Sequence, residues 1–177
     1  MPTFRKYLWF IPFLIVDCSC AKQDQENQLT KQEKEIDTFI GRLQKDTVIY
    51  RSAVSRVVLQ KGIGDTLAAG DSVFFYYAAY IFSAQGNQGT LFAAHPPEGI
   101  SLSWIPSEWP EEYGSNTVGS GYYFEGLDAG LTGMQAKEHA YLLCTSKYGF
   151  GKNQVGIVPP MSPLLFELWI DRIVKKE

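Results

Sequence analysis

The sequence predicts an α+β domain with a mostly antiparallel sheet, and two observations lead to this fold class. Four segments are rich in Val, Ile, Tyr, Phe and Trp, which favour strands: 48–60, 73–83, 140–146 and 164–174. One helical segment lies among them, a short helix that ends near Gly133 and has these apolar residues on one side: Phe124, Leu127, Leu131 and Met134. Many strands with one short helix are typical of an α+β domain.

The composition favours a single globular domain. The chain has 177 residues, of which 45% are hydrophobic and 20% charged, and this is enough for one packed core. Intrinsic disorder is therefore excluded as the main state. The net charge is −3, and the sequence has no basic cluster, so no nucleic-acid partner is expected.

The last strand has a period of two. Phe166, Leu168 and Ile170 alternate with Glu167, Trp169 and Asp171. This alternation predicts that one face of the strand lies in the core and the other outside.

An amphipathic helix is predicted before the domain. Residues 30–33 (Thr-Lys-Gln-Glu) have the spacing of a capping box. An apolar stripe follows at helical spacing: Ile36, Phe39, Ile40 and Leu43. The stripe either packs on the chain's own domain or forms a contact with a second copy or a partner. The preceding residues 21–29 are polar and lack aromatics, which is typical of a flexible spacer.

The first residues read as an export signal. Arg5 and Lys6 precede an unbroken apolar run, residues 8–16, which is too short to span a bilayer. The run leads to cysteines at 18 and 20, a pattern similar to a bacterial lipoprotein signal. Cys20 follows the small Ser19, so we expect lipidation at Cys20, with Cys18 as the alternative site and plain secretion or a retained N-terminal anchor as the other interpretations.

These patterns divide the chain into three parts. We expect a lipoprotein signal peptide at 1–19, a polar tether with the amphipathic helix at 20–47, and the domain at 48–177. The expected location is the cell envelope, with a lipid anchor in a bacterial membrane, in an outer membrane facing the periplasm or at the surface. Within the domain, residues 93–121 form a long loop rich in Pro, Gly and Trp, and loops of this length are usually functional.

Motifs for nucleophilic, metal and phosphate chemistry are missing from the sequence. His95 and His139 have no Cys or His at ligand spacing, and no Ser lies in a Gly-x-Ser-x-Gly elbow. We therefore expect neither a metal nor another cofactor. The remaining cysteine, Cys144, lies in an apolar segment and is interpreted as an inert core residue.

Seven motifs in order resemble the FKBP family of peptidyl-prolyl cis-trans isomerases. The segment 126–134 (GLDAGLTGM) resembles the family's Gly-Trp-x-x-Gly-Leu-x-x-Met. The other matches, in chain order, are 70–77 with Gly-Asp-x-Val-x-x-x-Tyr, 89–92 with Gly-x-x-Phe, 118–119 with Leu-Gly, 148–149 with Tyr-Gly, 156–160 with Ile-Pro-Pro, and 164–168 with Leu-x-Phe-x-Val/Leu. They extend over about residues 48–174.

The resemblance implies an antiparallel sheet curled around one short helix, preceded here by the N-terminal helix. It also implies an aromatic pocket that holds the substrate proline, at these positions: Tyr77, Phe92, Tyr123, Phe124, Leu127, Tyr148, Ile157 and Phe166. Two positions depart from the family pattern. Leu127 stands where the family has the tryptophan of the pocket floor, and Ala93 stands where it has an aspartate.

The implied function is isomerisation of X-Pro bonds during the folding of exported proteins. This reaction needs no nucleophile, because only rotation about the amide is required. The expected catalytic donors are the Tyr148 hydroxyl and the Phe124 backbone N–H, and the expected substrates are proline-containing polypeptides. The alternative is a non-catalytic FKBP-like lipoprotein that binds peptides or acts as a chaperone.

Overall fold

The computed structural model describes most of the chain. The described residues are 17–45, 47–51, 54–83, 85, 88–100, 114–121 and 123–177, and for 17–21 and Gly114 only the backbone is described. The predicted signal segment up to residue 16 and the centre of the predicted long loop, 101–113, lie outside them. Among the described residues, no helix combines the length and the apolar character that a membrane span requires.

The described residues form two helices, nine strands and one 3-10 turn. The helices are α1 (Asp17–Leu43) and α2 (Glu125–Leu131), and the 3-10 turn is Ser146–Tyr148. The strands are β1 (Val48–Arg51), β2 (Val54–Gln60), β3 (Ile63–Thr66), β4 (Ser72–Phe82), β5 (Gly89–His95), β6 (Gly114–Thr117), β7 (Gln135–Ala136), β8 (His139–Cys144) and β9 (Leu164–Val174).

The main sheet is antiparallel and has the strand order β1-β2-β8-β9-β4-β5. Strand β4 is long enough to hold two partners on one side, β6 along its first half and β5 along its second. Strands β3 and β7 form a separate two-stranded sheet. The predicted α+β class is therefore confirmed.

The main sheet is buried on both faces. We call the face toward α2 the inner face, whose core includes Phe75, Phe92, Leu127 and Phe166. The opposite, outer face packs against α1. Strand β9 differs from its predicted pattern for this reason, because Leu165 and Glu167 on the outer side are also buried.

Helix α1 uses its apolar stripe to cover the outer face. Ile36, Phe39 and Ile40 are buried in the outer core, and the rings of Phe39 and Phe82 meet edge to face with centroids 5.3 Å apart. Of the two interpretations of the stripe, packing on the chain's own domain is the one observed.

Helix α1 is also longer than predicted, because it begins at Asp17 and includes residues 21–29. The prediction of a flexible spacer there is wrong. The Thr30 hydroxyl donates to the Glu26 carbonyl one turn earlier, at 3.0 Å, so Thr30 is an interior residue of the helix and not its N-cap.

The predicted loop 93–121 contains strands at its described ends. Strand β5 extends to His95, and β6 pairs with β4 in the register Ser72↔Thr117 to Phe75↔Gly114. Strand β6 has the sequence Gly-Ser-Asn-Thr, and no alternation of apolar and polar residues indicates it.

Helix α2 lies close to β8 and to the chain that follows it. A Cβ atom on Gly126 would lie 2.8 Å from the Tyr148 carbonyl oxygen, and one on Gly130 would lie 2.5 Å from the Leu142 Cδ1. The close approach of α2 therefore depends on glycine at both positions, two of the positions in the segment that resembles the family motif.

The chain end is attached to the turn before β4 through Asp71. The buried Asp71 carboxylate accepts hydrogen bonds from the Ala68 N–H at 2.8 Å, the Lys175 ammonium at 2.5 Å and the Lys176 N–H at 3.0 Å. The bond from Lys175 and the two backbone N–H groups lower the pKa of Asp71 to about 2.

Candidate functional site

Four phenylalanine rings form a closed cluster on the inner face, which we call the four-ring cluster. The rings of Phe92 on β5 and Phe166 on β9 are buried, with centroids 6.1 Å apart. Phe124, just before α2, lies 5.1 Å from Phe166, and Phe150, just after the 3-10 turn, lies 6.1 Å from Phe92. The ring closes between Phe124 and Phe150 at 5.3 Å.

The four members come from four separate parts of the chain. Phe92 and Phe166 stand on β5 and β9, which flank β4, so the sheet fixes their positions. Phe124 and Phe150 stand on connections and are half-buried. The cluster is therefore closed toward the sheet and partly exposed on the side of these connections.

A second aromatic group lies on the same inner core. The Phe75 ring is buried and meets the half-buried rings of Tyr77 and Tyr123, each at a centroid distance of 6.3 Å. The Tyr123 hydroxyl donates to the Ser115 carbonyl of β6 at 3.2 Å. Burial raises the pKa of Tyr77, so its hydroxyl stays protonated at neutral pH.

Tyr148 and Leu127 also belong to this inner core. Tyr148 ends the 3-10 turn and is half-buried, with the Lys147 ammonium 4.8 Å from the centroid of its ring. The Tyr148 hydroxyl makes no hydrogen bond to any residue that the structure describes. Leu127 is buried within α2.

The structure does not bring Ile157 into the buried core. Val155 and Val158 exchange backbone hydrogen bonds of 3.1 and 2.9 Å, which closes a tight turn with Gly156 and Ile157 at its tip. Ile157 is 59% exposed, whereas its neighbour Val158 is buried in the inner core. Seven of the eight predicted pocket residues therefore share one core, and Ile157 lies on the surface beside it.

Sequence reasoning missed Phe150, a full member of the four-ring cluster, as well as Phe75. Phe150 stands two residues after Tyr148, so the motif match at 148–149 could have indicated its neighbourhood. Phe75 stands inside the 70–77 match and was hidden among the other aromatics of its strand. The resemblance also implies an aromatic before the 118–119 match, for which Tyr113 is the nearest candidate, and Tyr113 lies outside the described residues.

Asp128 shapes the segment that leads into the site. Its carboxylate accepts hydrogen bonds from the Asn116 amide at 2.8 Å, the Gly119 N–H at 3.2 Å and the Gly121 N–H at 3.3 Å. These bonds attach the turn after β6 to α2. They therefore position the segment that leads to Tyr123 and Phe124.

The other end of α2 is held by Arg56 on β2. The buried Arg56 guanidinium donates to the carbonyls of Gly130 and Thr132 at 3.2 Å and of Gly133 at 3.3 Å. These are carbonyls at the helix end, which lack partners within the helix. Glu138, also buried, lies 3.5 Å from the Arg56 Nε; burial lowers the pKa of Arg56 and raises that of Glu138.

The part of the chain that the structure describes contains neither a metal site nor a reactive thiol. No group of three His, Cys, Asp or Glu side chains is arranged to hold a metal ion there. Cys144 is buried without a disulfide, and burial raises the pKa of its thiol to about 12, which keeps it protonated and unreactive.

The fold is that of known FKBP proteins. FkpA from Escherichia coli superposes with a TM-score of 0.58 at 19% identity, over 89% of this chain and 66% of that chain. The N-terminal domain of FKBP42 from Arabidopsis thaliana gives 0.58 at 18% identity, over 74% of this chain and 94% of that chain. A multi-domain immunophilin from the same plant gives a TM-score of 0.61 at 19% identity, over 76% of this chain and 47% of that chain.

Sequence comparison leads to the same family. The family described as FKBP-type peptidyl-prolyl cis-trans isomerase matches residues 109–170. FK506-binding protein 1 of Aspergillus oryzae is 29% identical over 68% of this chain and 97% of that protein, and FK506-binding protein 5 of Dictyostelium discoideum is 30% identical over 63% and 6%. In both sequence and fold, the chain is therefore similar to FKBP-type peptidyl-prolyl cis-trans isomerases.

Proposed function

We propose that this protein isomerises X-Pro bonds of exported polypeptides in an apolar pocket beside the four-ring cluster. The observation that carries the proposal is the four-ring cluster itself, with Tyr148 on the same core. Half-buried aromatic rings can contact a proline ring, and an unpaired hydroxyl is free to bond a peptide carbonyl. Both features are what rotation about an amide requires.

The chemistry is a rotation with a high barrier. The conjugated amide resists twisting by ~18–20 kcal/mol, and uncatalysed isomerisation takes tens to hundreds of seconds. The twisted amide has lost conjugation and is less polar than the planar one. An apolar surface therefore favours the twisted form by removing water from the planar amide, and a fixed donor stabilises the rotated carbonyl.

Two groups can serve as that donor. The Tyr148 hydroxyl is the side-chain candidate. The Phe124 N–H is the backbone candidate, since Phe124 is the N-cap of α2 and its N–H donates no hydrogen bond to a described residue. A hydroxyl and an N–H on neighbouring chain segments allow the carbonyl to be held from two sides.

The substitution Tyr148→Phe tests the role of the hydroxyl. We expect kcat/KM for a proline tetrapeptide to fall about tenfold, less than for loss of a sole donor because the Phe124 N–H remains. The urea midpoint should stay unchanged, because the hydroxyl has no described partner. Tyr50→Phe is the matched control, since Tyr50 is 63% exposed on β1. Full activity in Tyr148→Phe would show that Tyr148 contributes only its ring surface to the site and no hydrogen bond.

A non-catalytic peptide-binding role is the second candidate. Leu127 and Ala93 favour it, because both are buried on the inner face at positions where the family has a tryptophan and an aspartate. A smaller floor grips the proline ring less firmly and discriminates less between planar and twisted amides. Binding of the tetrapeptide with no acceleration of its isomerisation would select this role over the enzyme.

We further propose that the protein is lipidated at Cys20 and held in a bacterial cell envelope. The support is the order of basic residues, short apolar run and cysteine at the start of the chain. Two or more acyl chains are needed for stable anchoring, as in bacterial lipoproteins.

The anchor is tested by expressing Cys20→Ala and Cys18→Ala in a bacterium that processes lipoproteins. We expect Cys20→Ala to lose both the lipid mass and the membrane fraction, whereas Cys18→Ala keeps them. Lipid mass retained in Cys20→Ala and lost in Cys18→Ala would move the site to Cys18. No lipid mass in the wild type would leave plain secretion or an uncleaved anchor.

A further inference from the structure

A buried glutamine of α1 reaches the segment that carries Tyr148. Gln32 is 4% exposed, and it continues the apolar stripe of α1 one turn before Ile36. Its side-chain oxygen accepts a hydrogen bond of 2.8 Å from the N–H of Ser146, a residue with no exposed surface. Ser146 is the first residue of the 3-10 turn that ends at Tyr148.

This bond completes the 3-10 turn. Among the described residues, the Ser146 N–H donates to no backbone carbonyl, so its own segment supplies no acceptor for it. A buried N–H without an acceptor costs on the order of a hydrogen bond. Gln32 supplies this acceptor from a helix more than 100 residues earlier in the sequence.

The other end of the Gln32 amide holds the second loop of the site. Its nitrogen donates to the Met161 carbonyl at 2.8 Å, just after the 155–158 turn and the two prolines. Gly151 joins the two loops, because its N–H donates to the Ser146 carbonyl at 2.9 Å and its carbonyl accepts from the Met161 N–H at 2.7 Å. Gln32, Ser146, Gly151 and Met161 thus form a closed hydrogen-bonded ring.

The ring requires an amide at position 32. Ser146 offers a donor and Met161 an acceptor, so the orientation of the Gln32 amide is fixed by its partners. An apolar side chain serves neither partner, and a carboxylate serves only Ser146. The ring spans the stretch with Tyr148 and borders Phe150, so a shift in it moves two groups of the proposed site.

We infer that Gln32 is a positioning residue for Tyr148, and that α1 is a structural part of the site. The inference rests on the proposed isomerase function for its kinetic consequence. Gln32 acts through the 3-10 turn and touches no reacting atom. Helix α1, which joins the N-terminus to the domain, therefore also sets the geometry of the site.

A double-mutant cycle on the full chain tests the inference. Gln32→Met keeps the length of the side chain and removes both hydrogen bonds. We expect it to lower kcat about tenfold with KM changed less than about twofold, because displaced catalytic groups cost rate steeply. In the Tyr148→Phe background the same change should lower kcat clearly less, since the part of its effect that acts through that hydroxyl is already lost.

Gln28→Met is the matched control. Gln28 lies one turn earlier, is exposed, and its amide is 3.4 Å from the same Met161 carbonyl, so its kinetics should match the wild type. If Gln32→Met does not fold, Gln32→Glu replaces it, because the carboxylate still accepts from Ser146. Equal losses in both backgrounds, or an unchanged kcat, would overturn the positioning role.

The NMR signal of a ring-labelled Tyr148 separates this inference from the proposed function. We expect the signal to move in Gln32→Met and not in Gln28→Met, even if the wild type proves inactive as an isomerase. An inactive wild type with a moved signal would reject the function and keep the positioning role. An unmoved signal would reject the positioning role whatever the activity.

Discussion

Helix α1, 27 residues long, covers the outer face of the sheet, whereas the seven-residue α2 covers only part of the inner face. On the outer face, the ring of Phe82 on β4 is buried against Phe39 of α1. On the inner face Phe124, Tyr148 and Phe150 stay half-buried on the same core as the buried Phe166. The difference teaches that one face is used for stability, whereas the other keeps aromatic surface in reach of a ligand.

The largest effect should come from opening the outer face. Phe39→Ala removes a buried ring that meets Phe82, and we expect it to lower the free energy of unfolding by ~3–5 kcal/mol. Its folded fraction should bind a proline peptide as the wild type does. Urea unfolding and peptide titration below the midpoint measure the two properties.

Phe150→Ala is the counterpart on the inner face. We expect a smaller loss of stability, about 1–2 kcal/mol because the ring is only half-buried, together with weaker peptide binding. If Phe39→Ala weakened binding as strongly as Phe150→Ala, the two faces would not differ in the way described.

The next effect tests the close approach of α2. Gly126→Ala forces a Cβ against the Tyr148 carbonyl, and we expect it to destabilise the fold by ~1–3 kcal/mol and to lower isomerase activity. Gly41→Ala in α1 is the matched control, since a Cβ there has no atom within 4 Å. It should stabilise the protein by ~0.5–1 kcal/mol, because alanine favours a helix over glycine. A stabilised Gly126→Ala would contradict the tight contact.

The smallest effect concerns Asp71, which belongs to neither face. Its pKa of about 2 in the fold lies below the usual value for a carboxyl, so the ionised form stabilises the folded state. This contribution is complete above about pH 4 and is lost as the pH falls toward 2. Urea midpoints from pH 2 to 7 should show that Asp71→Asn is less stable at neutral pH and has a flatter acid limb.

Asp37→Asn removes an exposed carboxylate of α1 and serves as the charge-matched control for Asp71→Asn. Its midpoint should follow that of the wild type over the whole range. Parallel acid limbs for wild type and Asp71→Asn would show that other groups govern acid unfolding.

The sheet and α2 could be predicted because local patterns report them. Strand β9 alternates, and the segment from Phe124 to Met134 has helical spacing, so burial on the inner face is visible in the sequence. The length of α1 was not visible, since residues 17–29 have no apolar stripe. Strand β6 was missed because its polar residues form an edge beside β4, which only tertiary pairing explains.

The candidate site was predictable in its residues and less so in its supports. Motif matches led to Tyr148, Phe166 and five other core positions, and these stay predictions as catalytic or binding residues. Gln32 could not be found, because a glutamine in a polar helix carries no signal until its partners, Ser146 and Met161, come together in space.

The continuity of α1 bears on how far the domain could reach from a membrane. Cys20 and Gln32 are twelve positions apart on one helix, which at 1.5 Å per residue is about 18 Å along its axis. A coil of that length would let the distance vary, whereas a helix that is bound to the domain through Gln32 fixes it. With an acyl anchor at Cys20, Gln32 and the site segment that it binds would therefore stay within about 18 Å of the point of attachment.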